Sequence, residues 1–436
     1  MNLPPGPSAP RLVQTWRHFF RVPSVYGDAW RRYGSPFTAR MVGMDMVMLT
    51  EPEQLRALFN PQEHRLRRTR YQDIQGQALG PESLLMLDGA RHAHHRRLLT
   101  GPFRPDRMQR YGGRTVEIVR RHAGQWPRGR WFSAYGPLEH MAMELILYAV
   151  FGLQDPAACA EARTLLDPVV GAPPLLLFSK ALQVDLGHWS PWGRFLRNRE
   201  RLNAWVDGLI AERRAQLEAG ERHNDILSQL LEAEEPDGHA FSDLALRCEL
   251  LTLLATGHET TAVSVTWALG WVLRHPSVHQ RLRDELAACD TPEDINDLPY
   301  LDMVCKEVLR ISPVLPIMGR EVVEPFEIDG YTLQPGTQIT ALGWFIHRRP
   351  EVFPDPERFD PERFVDGARF DRFEYLPFGT GARACVGRAF GLYQMKVTLG
   401  TLLKEINPEP APDEPWPALR WRNVVVLPKG GCQIRL

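Results

Sequence analysis

The chain has 436 residues, a formal net charge of −1 and a hydrophobic fraction of 44%. Such a chain can build a large apolar core, and its charge balance excludes a strongly basic nucleic-acid-binding protein. Its six cysteines show no C-x-x-C spacing, which argues against a disulfide framework or a structural zinc site and favours a reducing, cytoplasmic setting.

The N-terminal segment Met1–Pro7 contains no apolar run, so the sequence predicts neither a leader nor a membrane anchor. No linker composition divides the chain, and a single domain is predicted over residues 1–436. The first predicted elements are a helix over 22–33, a β-hairpin over 37–41 and 45–49, and a helix over 52–59. Residues 60–86 lack periodicity and are predicted to form a long loop.

A cluster of histidine and arginine follows within residues 88–99. His92 and Arg96 are four residues apart and share one helical face. The residues alone leave two interpretations open, a solvated basic face or a pair of cations that binds two carboxylates. His94 and His95 are predicted to be surface residues.

The middle of the chain is predicted to be helical. Helices are expected over 104–126, 138–151, 157–166 and 195–217. Between the last two, residues 168–192 place leucines among prolines and glycines, a pattern that a plain core segment would also give.

The longest predicted helix covers 243–274, is N-capped by Ser242 and would span on the order of 45 Å. Its middle carries Glu259 and Thr260 where an apolar helix would continue with leucines, and an exposed polar patch is the plain interpretation. The adjacent His-Glu pair does not extend to a zinc-protease motif, because that motif needs histidine at position 262, which is alanine.

Helices over 276–287 and 300–311 and strands over 320–328 and 331–340 are predicted next. Glu307 and Arg310 lie three residues apart and can form an ion pair on one helical face, although E-x-x-R alone is a weak signal.

Residues 378–389 are rich in glycine and contain Cys385, and a helix is predicted over 389–403. A thiol near a helix N-terminus has a favoured thiolate form and is a good metal ligand. A lone cysteine is more often a packed core residue. The neighbours reverse that balance, because the fixed positions of F-x-x-G-x-R-x-C-x-G are all present, as Phe378, Gly381, Arg383, Cys385 and Gly387.

This run resembles the haem-binding loop of the cytochrome P-450 superfamily. The resemblance implies a fold that is mainly α with smaller β-sheets, in which a long central helix lies over the haem and the cysteine loop beneath it. It implies haem b as cofactor, Cys385 as its iron ligand, and a haem-contacting loop that includes Phe378, Arg383 and Gly387. His92, Arg96 and Arg320 match the family's propionate-binding positions.

Two further motifs support the same resemblance. The stretch from Thr256 is similar to the oxygen-activation motif A/G-G-x-D/E-T-T/S, which implies a proton-delivering role for Glu259 and Thr260. A threonine that bonds the carbonyl one turn earlier can bend or open a helix. Thr256 departs from the motif, which has Ala or Gly there, and is expected to narrow or polarise the pocket. Glu307, Arg310 and Arg363 resemble the family's Glu-Arg-Arg network, which implies a structural role for them.

The family function implied is a monooxygenase that inserts one oxygen atom of O2 into a C–H bond, by hydroxylation or epoxidation, of an apolar small molecule such as a terpenoid or fatty acid. Residues 168–192 would then form a lid. Electrons are expected from a separate ferredoxin and its reductase, docking near Arg97, Arg388 and Lys396, on a monomer. A peroxide-driven peroxygenase and a non-catalytic haem-binding sensor or carrier remain alternatives. The expected pocket residues are Leu85, Leu175, Leu254, Ala255, Thr256, Val314, Leu315 and Val425.

Overall fold

The structure is a computed structural model, and it describes residues 3–20, 22–60, 64–173, 176–177, 179–233, 241–367, 370–422 and 425–436. Leu175, one of the expected pocket residues, lies outside the described residues. The chain folds as two compact units. The first unit consists of Met1–Arg70, Asp302–Cys385 and Pro417–Lys429, and the second of Tyr71–Leu301, Val386–Trp416 and Gly430–Leu436. That residues 1–436 form one domain stays a prediction.

A five-stranded sheet organises the first unit. Its strands, in spatial order, are Phe37–Met41, Met44–Leu49, Gln338–Leu342, Ile317–Val322 and Leu66–Arg67. The first two form the predicted antiparallel hairpin, and the second pairs in parallel with Gln338–Leu342. Two-stranded sheets are formed by Phe326–Ile328 with Tyr331–Leu333 and by Leu419–Arg422 with Val425–Pro428.

Five helices belong to the described part of the first unit, and three of them, Val22–Tyr33, Pro52–Leu58 and Gly343–Ile346, pack with the sheet in two apolar clusters. The bounds of the helices are Arg11–Phe20, Val22–Tyr33, Pro52–Leu58, Pro299–Ile311 and Gly343–Ile346. The first unit includes Pro299–Ile311 from Asp302 onward. Its 3₁₀ turns are Pro361–Gly367 and Gly381–Arg383. The strand Gln338–Leu342 is buried along its whole length. A strand covered on both faces needs apolar or paired side chains throughout, which removes the alternation that marks a half-exposed strand.

The second unit is helical. Its helices are Arg70–Leu79, Gly89–Thr100, Pro105–Met108, Gly112–Gly124, Tyr135–Phe151, Pro156–Val170, Pro191–Glu218, Ile226–Leu231, Asp243–Leu273, Pro276–Leu286, Pro292–Asp297 and Arg388–Glu405. Short 3₁₀ turns occur at Gly101–Phe103, Gln109–Tyr111 and Lys180–Leu182, and the strands Phe132–Ser133, Gln433–Arg435 and Glu409–Pro410 form a small sheet.

The helix Asp243–Leu273, called the long helix below, is the centre of this unit. Its N-cap is Ser242, whose hydroxyl accepts a hydrogen bond from the Ala245 amide. The helix is apolar on most of its faces and packs on the equally apolar helix Tyr135–Phe151. A helix that is hydrophobic on all its faces is buried in a core. The polar residues of such a helix therefore need a reason other than the burial of apolar surface.

Some predicted elements were wrong. Residues 60–86 do not form a long loop but contain the strand Leu66–Arg67 and the helix Arg70–Leu79. The helix buries Ile74, Ala78 and Leu79, and this packing outweighs the low helix propensity of Asp73 and Gly76.

The helix predicted over 104–126 is broken at Gly112. A 3₁₀ turn over Gln109–Tyr111 separates Pro105–Met108 from the helix that begins at Gly112. A Cβ at Gly112 would lie 2.3 Å from the Tyr393 hydroxyl and 2.8 Å from the Pro292 Cβ, so neighbouring side chains pack closely on this helix start. The helix predicted over 157–166 instead continues through Pro168 to Val170. The two long strands predicted over 320–340 are replaced by shorter strands with turns between them. Among the described residues, no helix is long and apolar enough to cross a bilayer.

Candidate functional site

The loop that carries Cys385 is held by backbone hydrogen bonds. The Cys385 amide donates to the Phe378 carbonyl at 2.8 Å, and the Gly379 amide donates to the Leu376 carbonyl at 3.0 Å. A 3₁₀ turn over Gly381–Arg383 lies between these bonds. Residues 376–385 contain no strand and no α-helix, so these hydrogen bonds fix the backbone at Cys385.

Gly381 is required at its position for two reasons. Its φ is +70°, a left-handed conformation that residues with a side chain rarely adopt. A Cβ there would also lie 2.8 Å from the Phe59 carbonyl oxygen. The side chain of Arg320 lies over the same Phe59, 5.2 Å from the ring centroid, so Phe59 links the cysteine loop to the strand Ile317–Val322.

Cys385 is exposed, whereas the other five cysteines are buried. Burial raises the pKa of Cys159 to about 11 and that of Cys432 to about 12, so these thiols stay protonated at neutral pH. Cys385 is therefore the cysteine whose sulfur can reach a ligand.

The residues just before the loop are anchored by a neutral histidine. His347 is fully buried and its Nε2 accepts a hydrogen bond from the Leu376 amide at 3.0 Å. Burial, with Arg310 and Arg348 nearby, lowers the pKa of His347 to about 3. The proton of the neutral ring is then on Nδ1, and His347 acts as an acceptor at physiological pH.

Glu307 and Arg310 form the predicted ion pair on the helix Pro299–Ile311, and both side chains are fully buried. Arg310 Nε donates to Glu307 Oε2 at 2.6 Å and Nη2 to Oε1 at 2.8 Å. The other guanidinium hydrogens bond the carbonyls of His347, Pro356 and Arg358 at 2.8, 2.9 and 3.2 Å. All five donors of Arg310 are thus used.

Arg363 completes this network as expected. Its Nε lies 3.5 Å from Glu307 Oε1, and its Nη2 donates to the Asp355 carbonyl at 2.9 Å. The Asp360 amide also donates to Glu307 Oε1, at 2.9 Å. Burial raises the pKa of Glu307, and the two guanidinium groups oppose that rise. The network ties the irregular segment 347–363 to the helix that carries Glu307.

The residues that resemble the family's oxygen-activation motif lie on the long helix in the second unit. Thr256 and Thr260 belong to a row of hydroxyl groups spaced four residues apart, each donating to the carbonyl one turn earlier. The row is Thr252 to the Cys248 carbonyl at 2.6 Å, Thr256 to Thr252 at 2.7 Å, Thr260 to Thr256 at 2.7 Å and Ser264 to Thr260 at 2.8 Å. The helix remains α-helical throughout, so these bonds do not open it.

Gly257 and Glu259 show why the motif is not a plain polar patch. A Cβ at Gly257 would lie 2.7 Å from Cδ1 of Ile146, so glycine lets the helix Tyr135–Phe151 approach closely. Glu259 is buried. Burial of the Tyr71 phenol and, to a smaller extent, the charge of Glu259 raise the pKa of Tyr71 to about 12. Tyr71 was missed because it lies in the segment predicted to be a loop.

The helix Gly89–Thr100 places His92 and Arg96 on one face, with His92 buried and Arg96 half-buried. The expectation that His95 is a surface residue is wrong. His95 is buried, and its Nδ1 lies 2.7 Å from Oε1 of Glu249 on the long helix. A buried histidine paired with a buried acid ties these two helices together, and periodicity within one helix could not reveal that partner.

The expected pocket residues divide between the two units. Val314, Leu315 and Val425 belong to the first unit, where the Val426 amide donates to the Val314 carbonyl at 3.0 Å. Leu85 and the long-helix residues Leu254, Ala255 and Thr256 belong to the second unit. Thr256 and Leu315 are exposed, whereas Val314, Leu254 and Val425 are buried.

The cytochrome P450 family profile matches residues 4–436. The chain belongs to the cytochrome P450 family. As a member, it is a haem-thiolate monooxygenase that takes a small-molecule substrate, O2 and electrons from redox partners.

Bacterial relatives and solved structures agree. The chain is 32% identical to cytochrome P450 135B1 of Mycobacterium tuberculosis, over 100% of this chain and 92% of the relative. It is also 32% identical to cytochrome P450 138 of the same organism, over 94% and 90% of the two chains. Retinoic-acid-bound cyanobacterial CYP120A1 superposes with a TM-score of 0.84 at 25% identity, over 100% and 99% of the two chains. The haem domain of cytochrome P450DA has the same fold, with a TM-score of 0.83 at 22% identity, over 99% and 97%. The predicted mainly helical fold with small sheets is therefore confirmed.

The described residues fit the haem iron that the family holds. Cys385 offers the exposed thiol, and its loop has the glycine conformations that let backbone lie close to a flat group. Arg320 and Arg383 in the first unit are half-buried cations suited to carboxylates. A thiolate binds iron and arginines bind carboxylates, so these groups suit a haem.

Proposed function

We propose that this enzyme hydroxylates an apolar small molecule and that Cys385 is the ligand of its haem iron. The observation that carries the assignment is the contrast between Cys385, exposed on a loop tied by its own amide to Phe378, and the five buried cysteines. A thiolate ligand donates electron density to the iron, and the haem then supplies O–O bond cleavage.

The cofactor is proposed to be haem b, held by cations and by the loop. His92, Arg96 and Arg320 are assigned to the propionates, and Arg383 to the haem-contacting loop, since side chains that donate to a carboxylate form charge-assisted hydrogen bonds. Phe378 and Gly387 are assigned to the loop around the thiolate. Support comes from the contact of Arg320 with Phe59, which also packs against Gly381 of the cysteine loop.

Glu259 and Thr260 are proposed to deliver protons during oxygen reduction. The Thr260 hydroxyl donates its hydrogen to the Thr256 carbonyl. Its oxygen can therefore accept a hydrogen bond from a proton donor but cannot donate one to O2 at the same time. The Glu259 carboxyl is the proton-exchanging group one residue away, and Tyr71, kept as a neutral phenol by burial and by Glu259, would orient that carboxyl. Thr256 adds a hydroxyl where the motif has Ala or Gly and would make the pocket more polar.

The proposed substrate is apolar, such as a terpenoid or a fatty acid, and the reaction is hydroxylation or epoxidation. The expected pocket side chains are apolar apart from Thr256. The predicted lid region exposes Leu182, Val184, Leu186 and Trp189, which suits the passage of an apolar molecule. The similar cyanobacterial structure holds retinoic acid, a ligand with a long apolar body.

We further propose that the electrons come from a ferredoxin and its reductase and that the enzyme works as a monomer. Arg97 and Arg388 are exposed and would meet an acidic partner. Lys396 is half-buried and its Nζ donates to the Asn296 carbonyl at 2.6 Å, so its expected part in docking is smaller than that of the two arginines.

The reduced carbon-monoxide spectrum of the haem-loaded protein tests the ligand assignment. Cys385→Ser is expected to lose the thiolate-type Soret band, while Cys159→Ser, which changes a buried cysteine, is expected to keep it. A Cys385→Ser protein that retains the thiolate-type band would contradict the assignment. Haem content, measured after denaturation, separates loss of the ligand from loss of the cofactor.

A further inference from the structure

A cavity of about 220 Å³ lies among three helices of the second unit. It is bounded by the end of Arg70–Leu79, by the helix Pro191–Glu218 and by the first turns of the long helix. The lining residues that matter below are Leu79, Arg199, Leu244, Arg247 and Leu251. Arg199 and Asn203 are four residues apart, as are Leu244 and Cys248, so each helix presents one face to the cavity.

Three leucines line the cavity. Leu79 and Leu251 are buried, whereas Leu244 is an exposed leucine. Leu251 precedes Thr260 by nine residues, which places this part of the cavity roughly 13 Å from Thr260 along the helix axis. The cavity is therefore separated along the long helix from the groups assigned to proton delivery.

The charge of the lining is positive. Two arginines and no carboxylate line the cavity. Arg247 is balanced by Asp207, since its Nη1 donates to Asp207 Oδ2 at 2.5 Å. Arg199 forms no ion pair with any of the residues that the structure describes, and its contacts are a hydrogen bond to the Gln77 carbonyl at 2.8 Å and the Phe195 ring at 6.0 Å.

Arg199 is also held in place by its surroundings. The carbonyl that it bonds belongs to Gln77, whose side-chain amide donates to the Leu177 carbonyl at 3.1 Å and accepts from Gln183 at 3.2 Å. One of the five guanidinium hydrogens is used in this way, and the planar group keeps further donors for a ligand. A half-buried cation that has no counter-charge among the described residues favours an anion that can bind it by two parallel hydrogen bonds.

We propose that this cavity binds a small amphiphile with a carboxylate, which pairs with Arg199 while the apolar body lies against Leu79, Leu244 and Leu251. A carboxylate matches the guanidinium fork, and an apolar chain or ring matches the rest of the lining. This site goes beyond the proposed hydroxylation and does not depend on the roles assigned to Cys385, Glu259 or Thr260.

Calorimetric titration of the haem-loaded protein tests the proposal, with sodium octanoate and octan-1-ol as probes that share one chain length. The iron is blocked with 1-phenylimidazole, so that binding in the haem pocket does not contribute. Octanoate is expected to bind about tenfold more tightly than octan-1-ol, because only the carboxylate gains the charge-assisted bonds. High salt is expected to reduce the difference.

Variants locate the site. Arg199→Gln is expected to abolish the preference for octanoate, and Arg199→Lys to retain part of it. Arg201→Gln, which removes an exposed cation two residues further along the same helix, is expected to leave it unchanged. Leu244→Trp, which enlarges an exposed lining residue, is expected to weaken the binding of both probes.

The proposal is overturned if the two probes bind equally to the unmodified protein, if Arg199→Gln keeps the preference, or if 1-phenylimidazole displaces octanoate. None of these readouts uses turnover. A failure here therefore leaves the carbon-monoxide spectrum and the hydroxylation proposal untouched, and a failure of those leaves the cavity proposal standing.

Discussion

Thr260 and Thr261 are neighbouring residues whose hydroxyls make the same bond, each to the carbonyl one turn earlier, at 2.7 and 2.8 Å. They differ in environment, since Thr261 is buried and Thr260 is half-buried. A role in proton delivery requires access to the pocket, whereas a structural role in the helix does not. The pair therefore offers a matched test of the catalytic assignment.

Thr260→Ala is expected to uncouple electron use from product formation, by about tenfold or more, since positioned proton transfer contributes roughly 10²–10⁴ to a rate. Thr261→Ala removes the same kind of hydroxyl and is expected to keep the coupling. Product formed per NAD(P)H oxidised is measured with a ferredoxin pair and a substrate found by the spin-state shift. Equal coupling in Thr260→Ala and the unmodified enzyme would rule out the proton-delivery role.

His347 gives the stability of the protein a dependence on pH. Its pKa is about 3 in the folded protein, against an ordinary value of 6.5. Between these values the unfolded chain binds a proton that the folded chain does not, so the free energy of unfolding falls as the pH falls. The stabilisation is complete above about pH 6.5 and is lost at up to ~1.4 kcal/mol per pH unit below it.

His347→Gln is expected to flatten that slope between pH 6 and pH 4, because the amide oxygen can accept from Leu376 but cannot be protonated. Urea unfolding at several pH values measures the slope. The exposed His188 provides the control, and His188→Gln is expected to leave the slope unchanged. A slope that is the same in His347→Gln and the unmodified protein contradicts a neutral, buried His347.

At the scale of elements, two ion pairs with the same sequence spacing differ in their burial and therefore in their expected contribution to stability. Glu307 with Arg310 and Glu53 with Arg56 are both i, i+3 pairs on helices. The first pair is fully buried and all its guanidinium donors are used, while the second is exposed to solvent. Desolvation makes the buried pair costly to break, whereas an exposed pair contributes little.

Glu307→Gln is expected to destabilise the protein by about 3–5 kcal/mol, since it leaves the charge of Arg310 buried without its partner. Glu53→Gln is expected to change the stability by less than about 0.5 kcal/mol. Thermal and urea unfolding of the haem-loaded variants measure both. Comparable midpoints for the two variants would show that the buried network does not stabilise the segment 347–363.

These elements also show what the sequence could and could not predict. The Ser242 N-cap and the E-x-x-R pair depend on residues close together in the chain, and both are present as predicted. The helix Arg70–Leu79 and the burial of His95 depend on partners far away in the sequence, such as Glu249 for His95. Local patterns carry no information on such partners, and Tyr71 beside Glu259 was missed for the same reason.

For the whole molecule, a net charge of −1 is compatible with exposed cations on the surface. Arg97 and Arg388 are both exposed and both lie in the second unit. Exposed charges steer a partner and set its rate of association more than they stabilise the fold. The proposed docking of an acidic ferredoxin should therefore be visible in electron transfer and not in substrate binding.

Arg388→Glu is expected to lower the rate of reduction by ferredoxin by at least about tenfold at low ionic strength, with the difference shrinking as salt screens the charges. The substrate dissociation constant, read from the spin-state shift, is expected to stay the same. Arg201→Glu reverses another exposed charge in the same unit and serves as the control. If both variants slow reduction equally, the effect comes from net charge; if only Arg388→Glu does so, the partner docks beside the helix that follows the cysteine loop.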